Sequence, residues 1–165
     1  MNLLIGIYGA SGFGKEVMPL ARQQYPTLDK ENFVFIDDAQ AGTALNGYPV
    51  LSYSDFLLAD YSNKAVTIAI ANSPVREKLA NRLNQDNIQH LNIKASNTVI
   101  LDEIEIGEGS LLCPFTCLTS NIKIGKFFHA NIYSYVAHDC VIGDYVTFAP
   151  GVKCNGNIHI HDHAY

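Results

Sequence analysis

The chain has 165 residues, of which 48% are hydrophobic and 16% charged, and its formal net charge is −5. These values are typical of a soluble globular protein with one domain or two small ones. Because the sequence has no Lys/Arg cluster, they argue against a nucleic-acid partner and against an anionic membrane surface. The apolar N-terminal run lacks a preceding basic region and is too short to cross a membrane, so we expect a cytoplasmic protein. The four cysteines form no C-x-x-C pair and are expected to be reduced and without a chemical role.

The first half of the chain alternates strand and helix patterns, as in a parallel α/β sheet. A helix is expected over residues 15–24, and a second one begins with Ser73 as its N-cap and Pro74 as its first helical residue. About ninety residues suffice for one nucleotide site but not for both halves of a dinucleotide fold, which commonly needs ~150 residues. Apolar runs predict strands at Leu3–Tyr8, Phe33–Ile36 and residues 65–70.

A glycine-rich loop follows the first predicted strand, in the stretch IYGASGFGKEV. Gly9, Gly12 and Gly14 are spaced G-x-x-G-x-G, whereas dinucleotide-binding loops have G-x-G-x-x-G. Ligands bind at the carboxyl ends of parallel strands, so this loop is a candidate for holding a diphosphate. Asp37 and Asp38, at the end of the second strand, are candidates for contacting a ribose or a base. The alternative is a tight turn beside a solvated strand end, with no ligand.

The second half of the chain repeats with a period of six residues. From Ile100 onward an apolar residue returns at the first position of each hexad, and the fifth position is small or apolar in most cases. The other four positions hold nearly all of the Asp, Glu, Lys, His and Asn residues. Two inward positions in six do not fit a helix. Glycines recurring every eighteen residues, at Gly107, Gly125 and Gly143, predict three strands and three turns per coil. The expected shape is a triangular prism of parallel strands whose last coil is unfinished in this chain. The repeated inward residues occur in eleven hexads: Ile100, Ile106, Leu112, Leu118, Ile124, Ala130, Val136, Ile142, Phe148, Cys154 and Ile160.

His138 is the candidate catalytic residue of the repeat. It occupies an outward or corner position and is followed by Asp139, whose carboxylate could orient the imidazole for removing a proton from a nucleophile. The alternative is an ordinary surface histidine, because adjacent residues in a strand usually point apart. His159, His161 and His163 alternate and could share a metal ion, but no acid-rich shell accompanies them and no functional metal is expected.

The glycine loop, the strand ending in Asp37-Asp38, and the hexads containing His-Asp-Cys-Val-Ile-Gly-Asp together resemble a known family. This family comprises the bacterial nucleotide-sugar acetyltransferases related to sialic-acid O-acetyltransferases and to the N-acetyltransferase of bacillosamine synthesis. The resemblance runs through the whole chain and implies a Rossmann-like half domain over residues 1–93, followed by a left-handed parallel β-helix over residues 94–165. It also implies a homotrimer, a UDP-sugar bound by the N-terminal half, and acetyl-CoA bound between neighbouring β-helices.

The resemblance also implies roles for individual residues. His138 matches the general base, Asp139 its acidic partner, and Asn131 a residue near the acceptor amine. Thr147 stands where a relative has a histidine that contacts acetyl-CoA, and the later coils that complete the acetyl-CoA groove are absent from this chain. Phe13 stands where relatives often have histidine. The nucleotide-sugar contacts implied by the resemblance are Ser11, Gly12, Phe13, Asp37 and Asp38.

The sequence therefore predicts an acetyl-CoA-dependent N-acetyltransferase acting on the 4-amino group of a UDP-4-amino-4,6-dideoxy sugar. One alternative is O-acetylation of a sialic acid or another sugar hydroxyl, which needs the same base. A second is a nucleotide-sugar-binding trimer without catalytic activity. A third is a metal-dependent hydratase like the γ-type carbonic anhydrases, although those lack an N-terminal nucleotide-binding half.

Overall fold

The computed structural model describes residues 2–165, which form an N-terminal α/β unit followed by a parallel coil. The helices of the α/β unit are α1 (Gly12–Gln24), α2 (Tyr53–Leu58) and α3 (Ser73–Gln85), with a 3₁₀ turn at Lys30–Asn32. Its strands are β1 (Leu3–Tyr8), β2 (Phe33–Ile36), β3 (Ala44–Leu45), β4 (Tyr48–Leu51), β5 (Asn63–Ile68) and β6 (Gln89–His90). They form a sheet in the order β3-β4-β2-β1-β5-β6, in which only the β3–β4 pair is antiparallel.

The predicted elements of this unit are confirmed with shifts at their ends. β1 and β2 have the predicted bounds, α1 begins three residues earlier than expected, and β5 lies two residues earlier than the predicted strand at 65–70. The predicted cap of α3 was wrong. Asn72 is the N-cap and its side-chain oxygen accepts a hydrogen bond from Val75 N at 3.0 Å, while Ser73 is already helical. Asn and Ser cap helices about equally well, so residue type alone did not decide between these neighbours.

The coil has three faces that repeat every eighteen residues, as the hexads predict. Parallel pairing joins Ile93 to Leu111, and Leu111 to His129, on one face, and equivalent pairs run along the other two. Its first strands are β7 (Ile93–Lys94), β8 (Val99–Ile106), β9 (Leu111–Leu112) and β10 (Cys117–Ile124). The later strands are β11 (His129–Ala130), β12 (Tyr135–Val136), β13 (Val141–Ile142), β14 (Thr147–Phe148), β15 (Lys153–Cys154) and β16 (His159–Ile160).

The inward positions of the hexads form the core of the coil. Side chains from Leu112 to Cys154 at the sixfold repeat are buried together with the fifth-position residues, which include Phe128 and Cys140. The recurrent glycines are needed because the coils approach closely. A Cβ on Gly107 would lie 2.6 Å from the carbonyl carbon of Gly125 in the next coil. Close backbone approach therefore explains these glycines, since none of the three has a positive φ.

The backbone enters the left-handed region once in each hexad, and most of the residues there are not glycine. A non-glycine residue in this conformation costs roughly 1–2 kcal/mol. Stacking between coils offsets part of this cost, since the ring centroids of Phe127 and Tyr145 lie 5.1 Å apart and those of Tyr145 and His163 lie 5.3 Å apart. The left-handed positions are Glu103, Gly109, Phe115, Asn121, Phe127, Tyr133, Asp139, Tyr145, Gly151, Asn157 and His163.

Arg76 of α3 joins the two units. It is fully buried, and no carboxylate within residues 2–165 pairs with it. Its guanidinium donates to the carbonyl oxygens of Ile70 and Ala71 at 2.8 and 3.0 Å, and across the interface to Tyr145 O at 2.6 Å and Thr147 Oγ1 at 3.0 Å. Burial lowers the pKa of Arg76 to about 10, so the group stays charged at neutral pH.

His129 of β11 is buried at the same interface, with its ring 5.4 Å from that of Phe13. Neither ring nitrogen makes a well-aligned hydrogen bond within the described part of the chain, although the backbone of Ile68 lies close enough to favour the charged form. Burial, together with the positive charge of Arg76, holds the pKa of His129 well below its usual range. The imidazole is therefore neutral in the folded protein. Across residues 2–165, no helix combines the length and the hydropathy that crossing a membrane requires.

Candidate functional site

His138 and Asp139 form a hydrogen-bonded pair at an exposed corner of the coil. His138 Nδ1 lies 2.7 Å from Asp139 Oδ2, and 65% of the histidine side chain and 50% of the aspartate side chain are exposed. The corner separates β12 from β13, so a short strand fixes it on each side. The predicted corner position of His138 is confirmed.

The corner conformation explains how two adjacent side chains meet. Asp139 has φ +59°, in the left-handed region, and the residues at this corner are in a turn. The expectation that neighbouring side chains point apart applies to extended strands, and it does not hold here. The other hexad corners share this backbone, but only here does a histidine directly precede a carboxylate at the left-handed position; in His161-Asp162 the left-handed residue is His163.

The Asp139 carboxylate is stabilised in its ionised form. A hydrogen bond from Asn121 and then one from His138 lower the pKa of Asp139 below its ordinary value. An ionised carboxylate only accepts hydrogen bonds, so the Nδ1 atom of His138 carries the proton that it shares with Asp139. The Nε2 atom of the neutral imidazole is then unprotonated, which is the state required of a general base.

A second feature is an open cavity of about 890 Å³ at the carboxyl ends of β1 and β2. This volume lies within the range of ligand pockets. The strand ends contribute Tyr8, Gly9, Asp37 and Asp38, as expected for a nucleotide site in a parallel sheet. The α3 helix contributes the opposite wall, which includes Glu77, Lys78, Asn81 and Arg82.

Asp37 and Asp38 are both held by neighbouring groups. Asp37 accepts from Ala10 N at 3.2 Å and Ala39 N at 3.0 Å, and thereby ties the glycine loop to the end of β2. Asp38 accepts from Tyr53 N at 2.7 Å and lies 3.6 Å from the Arg82 guanidinium. These contacts fix both carboxylates at the strand end, where 58% of the Asp38 side chain is exposed to solvent, and their contacts with a ligand stay predictions.

The glycine loop reaches the cavity only through Gly9. Gly9 has φ +113°, which favours glycine, and Gly14 lets α1 approach the loop because a Cβ there would collide with the Gly9 carbonyl. Ser11 and Gly12 are exposed at the start of α1, and the Ser11 side chain does not cap the helix. Phe13 packs against the coil rather than into the cavity. The roles of these last three residues in substrate binding stay predictions.

Asn131 and Thr147 lie elsewhere on the coil. Asn131 follows β11, at the corner before the one that has His138, and β12 lies between the two corners. Thr147 is buried, and its hydroxyl accepts from Arg76 and lies 3.3 Å from Ala71 O. Within one chain, neither side chain is brought next to His138, and their predicted contacts stay predictions.

Arg82 is the cavity residue that the sequence did not reveal. Its guanidinium lies 4.0 Å from the centre of the Tyr53 ring and 3.4 Å from the Tyr8 hydroxyl, besides pairing with Asp38. In sequence it belongs to a run of charged and apolar residues on an ordinary helix. Only the packing of α3 beside the strand ends shows that it faces a ligand cavity.

Three histidines near the end of the chain do not form a metal cluster with other residues. Within residues 2–165, no group of three or more His, Cys, Asp or Glu side chains is arranged to bind a metal ion. His163 stacks on Tyr145 and lies 3.5 Å from a carboxylate oxygen of Glu77. It therefore connects the coil to α3 at the edge of the cavity.

Two family models match the chain. The model described as the PglD N-terminal domain matches residues 4–83, and the model described as bacterial transferase hexapeptide (six repeats) matches residues 121–156. Among curated proteins, the GDP-perosamine N-acetyltransferase of Escherichia coli O157:H7 is 47% identical over 167 residues, which cover 100% of this chain and 75% of that protein.

Solved structures have the same fold. WeeI from Acinetobacter baumannii AYE has a TM-score of 0.98 at 78% identity, covering 99% of this chain and 77% of that one. A histidine-to-asparagine variant of perosamine N-acetyltransferase from Caulobacter crescentus, in complex with CoA and GDP-perosamine, has a TM-score of 0.83 at 19% identity, covering 94% and 73%. The acetyltransferase domain of PglB from Neisseria gonorrhoeae FA1090, in complex with acetyl coenzyme A, has a TM-score of 0.65 at 16% identity, covering 96% and 87%. The last two likenesses bear on the fold alone, and the predicted half domain with a left-handed β-helix is confirmed.

Proposed function

This chain belongs to the nucleotide-sugar acetyltransferases of the hexapeptide-repeat superfamily and is an acetyl-CoA-dependent acetyltransferase, and we propose that it acetylates the 4-amino group of a nucleotide-linked 4-amino-4,6-dideoxy sugar. The observation that carries the proposal is the exposed His138–Asp139 pair, in which His138 Nδ1 lies 2.7 Å from Asp139 Oδ2. The 47% identity to a GDP-perosamine N-acetyltransferase supports an amine as the acceptor.

The nucleotide is the part of the sequence prediction that is not confirmed. UDP was expected, whereas the curated relative has GDP in its name. We therefore propose a GDP-sugar as the substrate, bound in the cavity between the strand ends and α3. Guanine offers adjacent N–H donors on one edge, and the exposed carboxylates of Asp38 and Glu77 in this cavity are suitable acceptors.

His138 acts as the general base in this proposal. Its Nε2 accepts a proton as the sugar amine attacks the carbonyl carbon of the thioester, and Asp139 stabilises the imidazolium that forms. Collapse of the tetrahedral intermediate breaks the carbon–sulfur bond and releases CoA as a thiol once the sulfur takes up a proton. Backbone N–H groups near the thioester would stabilise the oxyanion, a type of contact that contributes about 3 kcal/mol.

We further propose that the chain works as a homotrimer. Phe115 and Tyr133 stack with their ring centroids 4.8 Å apart, yet 54% and 61% of their respective surfaces are exposed. Leu101 and Ile132 are further exposed apolar side chains of the coil. Exposed apolar patches of this kind indicate contact with another protein surface. The stacked pair and His138 lie at corners on either side of the same strand, β12, so association there would bring a neighbouring subunit close to the base.

The test is acetyl transfer measured by thiol release from acetyl-CoA, with GDP- and UDP-linked 4-amino sugars and with sugar hydroxyl acceptors. We expect turnover of the GDP-linked amine and a loss of about 10²–10⁴-fold in kcat for His138→Ala, with the oligomer size unchanged in light scattering. A variant with the wild-type rate would refute the role of His138. Turnover of hydroxyl acceptors only would show an O-acetyltransferase, and binding without transfer would show a binding protein.

A further inference from the structure

Asn121 lies one coil before Asp139 and contacts it directly. The side-chain amide nitrogen of Asn121 donates to Asp139 Oδ1 at 2.5 Å across a sequence separation of 18 residues, while Asp139 Oδ2 faces His138 Nδ1 at 2.7 Å. Since a carboxylate has no proton to donate, the amide must present its nitrogen to it. Each oxygen of the carboxylate therefore has its own partner.

The backbone brings these side chains together. Asn121 and Asp139 have φ values of +55° and +59°, and both occupy the left-handed position of their hexad. Their side chains leave the coil at equivalent points, one rung apart. Asn and Asp are the non-glycine residues that adopt this conformation most readily, so the contact forms without additional backbone strain.

We propose that Asn121 is a positioning residue for acetyl transfer: it fixes the Asp139 carboxylate and thereby holds the His138 imidazole in the tautomer whose Nε2 accepts the proton. The inference rests on the proposed function for the role of His138. Without the amide, Asp139 is free to rotate, and either imidazole nitrogen can carry the proton. The fraction of molecules that are ready to react then falls.

Two substitutions separate this role from a structural one. Asn121→Gly removes the amide while retaining a residue that tolerates positive φ. Asn121→Asp keeps a side chain of similar shape but places a second carboxylate next to that of Asp139. Asn87→Gly is the matched control, because Asn87 is also left-handed, at φ +54°, and lies in an exposed turn after α3.

For Asn121→Gly we expect kcat to fall about tenfold, a part of the 10²–10⁴-fold that a general base contributes, with the KM of both substrates within about twofold of wild type. Within residues 2–165, Asp139 is the one charged residue in ion-pair contact with the imidazole. A second carboxylate in Asn121→Asp stabilises the imidazolium, so the acidic limb of its kcat profile should move to higher pH. Asn87→Gly should leave both measurements unchanged.

Nitrogen-15 NMR of histidine-labelled protein reads the tautomer independently of activity, with the His138 signals assigned by their loss in His138→Gln. We expect proton occupancy on Nδ1 in the wild type and a mixture in Asn121→Gly. An unchanged tautomer, or a kcat equal to that of the Asn87→Gly control, overturns the proposal. If the wild type transfers no acetyl group but its tautomer still responds to Asn121→Gly, then the proposed function fails while the positioning of the imidazole stands.

Discussion

Gly156 gives a direct test of how tightly the imidazole of His138, the proposed general base, is held. It lies one coil after His138, and a Cβ added to it would lie 2.5 Å from both Cε1 and Nε2 of the ring. Carbon atoms prefer separations of about 3.5–4.0 Å, so in Gly156→Ala the ring has to move by about 1 Å. A displacement of that size at a reacting group costs about 10²-fold in rate.

The same substitution should hardly change stability. The ring is the free end of an exposed side chain, and φ at Gly156 is not in the left-handed region, so no backbone strain opposes alanine. Surface substitutions of this kind usually change the free energy of unfolding by no more than about 0.5 kcal/mol. We expect a near-normal urea midpoint together with a kcat reduced about 100-fold, and no further loss when the change is made in His138→Ala. A kcat within about threefold of wild type would refute the reasoning.

Two further predictions concern the interface between the units. Arg76→Ala leaves buried acceptors at Tyr145 and Thr147 without a donor, so we expect the free energy of unfolding in urea to fall by about 3–5 kcal/mol. The control is Arg82→Ala: the Arg82 side chain is 46% exposed, and its removal should lower the free energy of unfolding by less than about 1 kcal/mol. Equal losses in the two variants would contradict the role of Arg76 in joining the units. The lowered pKa of His129 means that, as pH falls below about 6.5, the unfolded chain takes up a proton that the folded chain does not. The free energy of unfolding should therefore fall by up to about 1.4 kcal/mol for each unit by which the pH is lowered. His129→Gln should lose this part of the pH dependence. If the free energy of unfolding of the variant depends on pH in the same way as that of the wild type, the prediction is wrong.

The coil was predictable because its inward positions repeat independently of anything else in the chain. Leu118 and Val136, for example, are buried where the period of six places them. The convergence of His138 and Asp139 was harder to predict, since it depends on which residue of each hexad takes positive φ. No residue type marks that position in this sequence, where Phe, Tyr, Asn and Asp all occupy it.

Features that depend on packing between the units could not be predicted. Arg76 lies in the stretch SPVREKLANRL, which is typical of a solvated helix face, yet it is fully buried because α3 packs against the coil. The burial of Thr147 has the same origin, whereas Arg82 lines the cavity because α3 packs beside the strand ends of its own α/β unit. Local sequence patterns report local structure, and these contacts join residues about seventy positions apart, 71 in the case of Arg76 and Thr147.

The eighteen-residue register limits how this chain can change in length. Asn121, Asp139 and Asn157 occupy the same corner of successive coils, and His138 and Gly156 do likewise. One residue inserted between neighbouring rungs would break every such vertical alignment, unless it bulged outward at a corner. Duplications or losses should therefore be tolerated as complete turns of the prism, or as loops that leave its edges undisturbed.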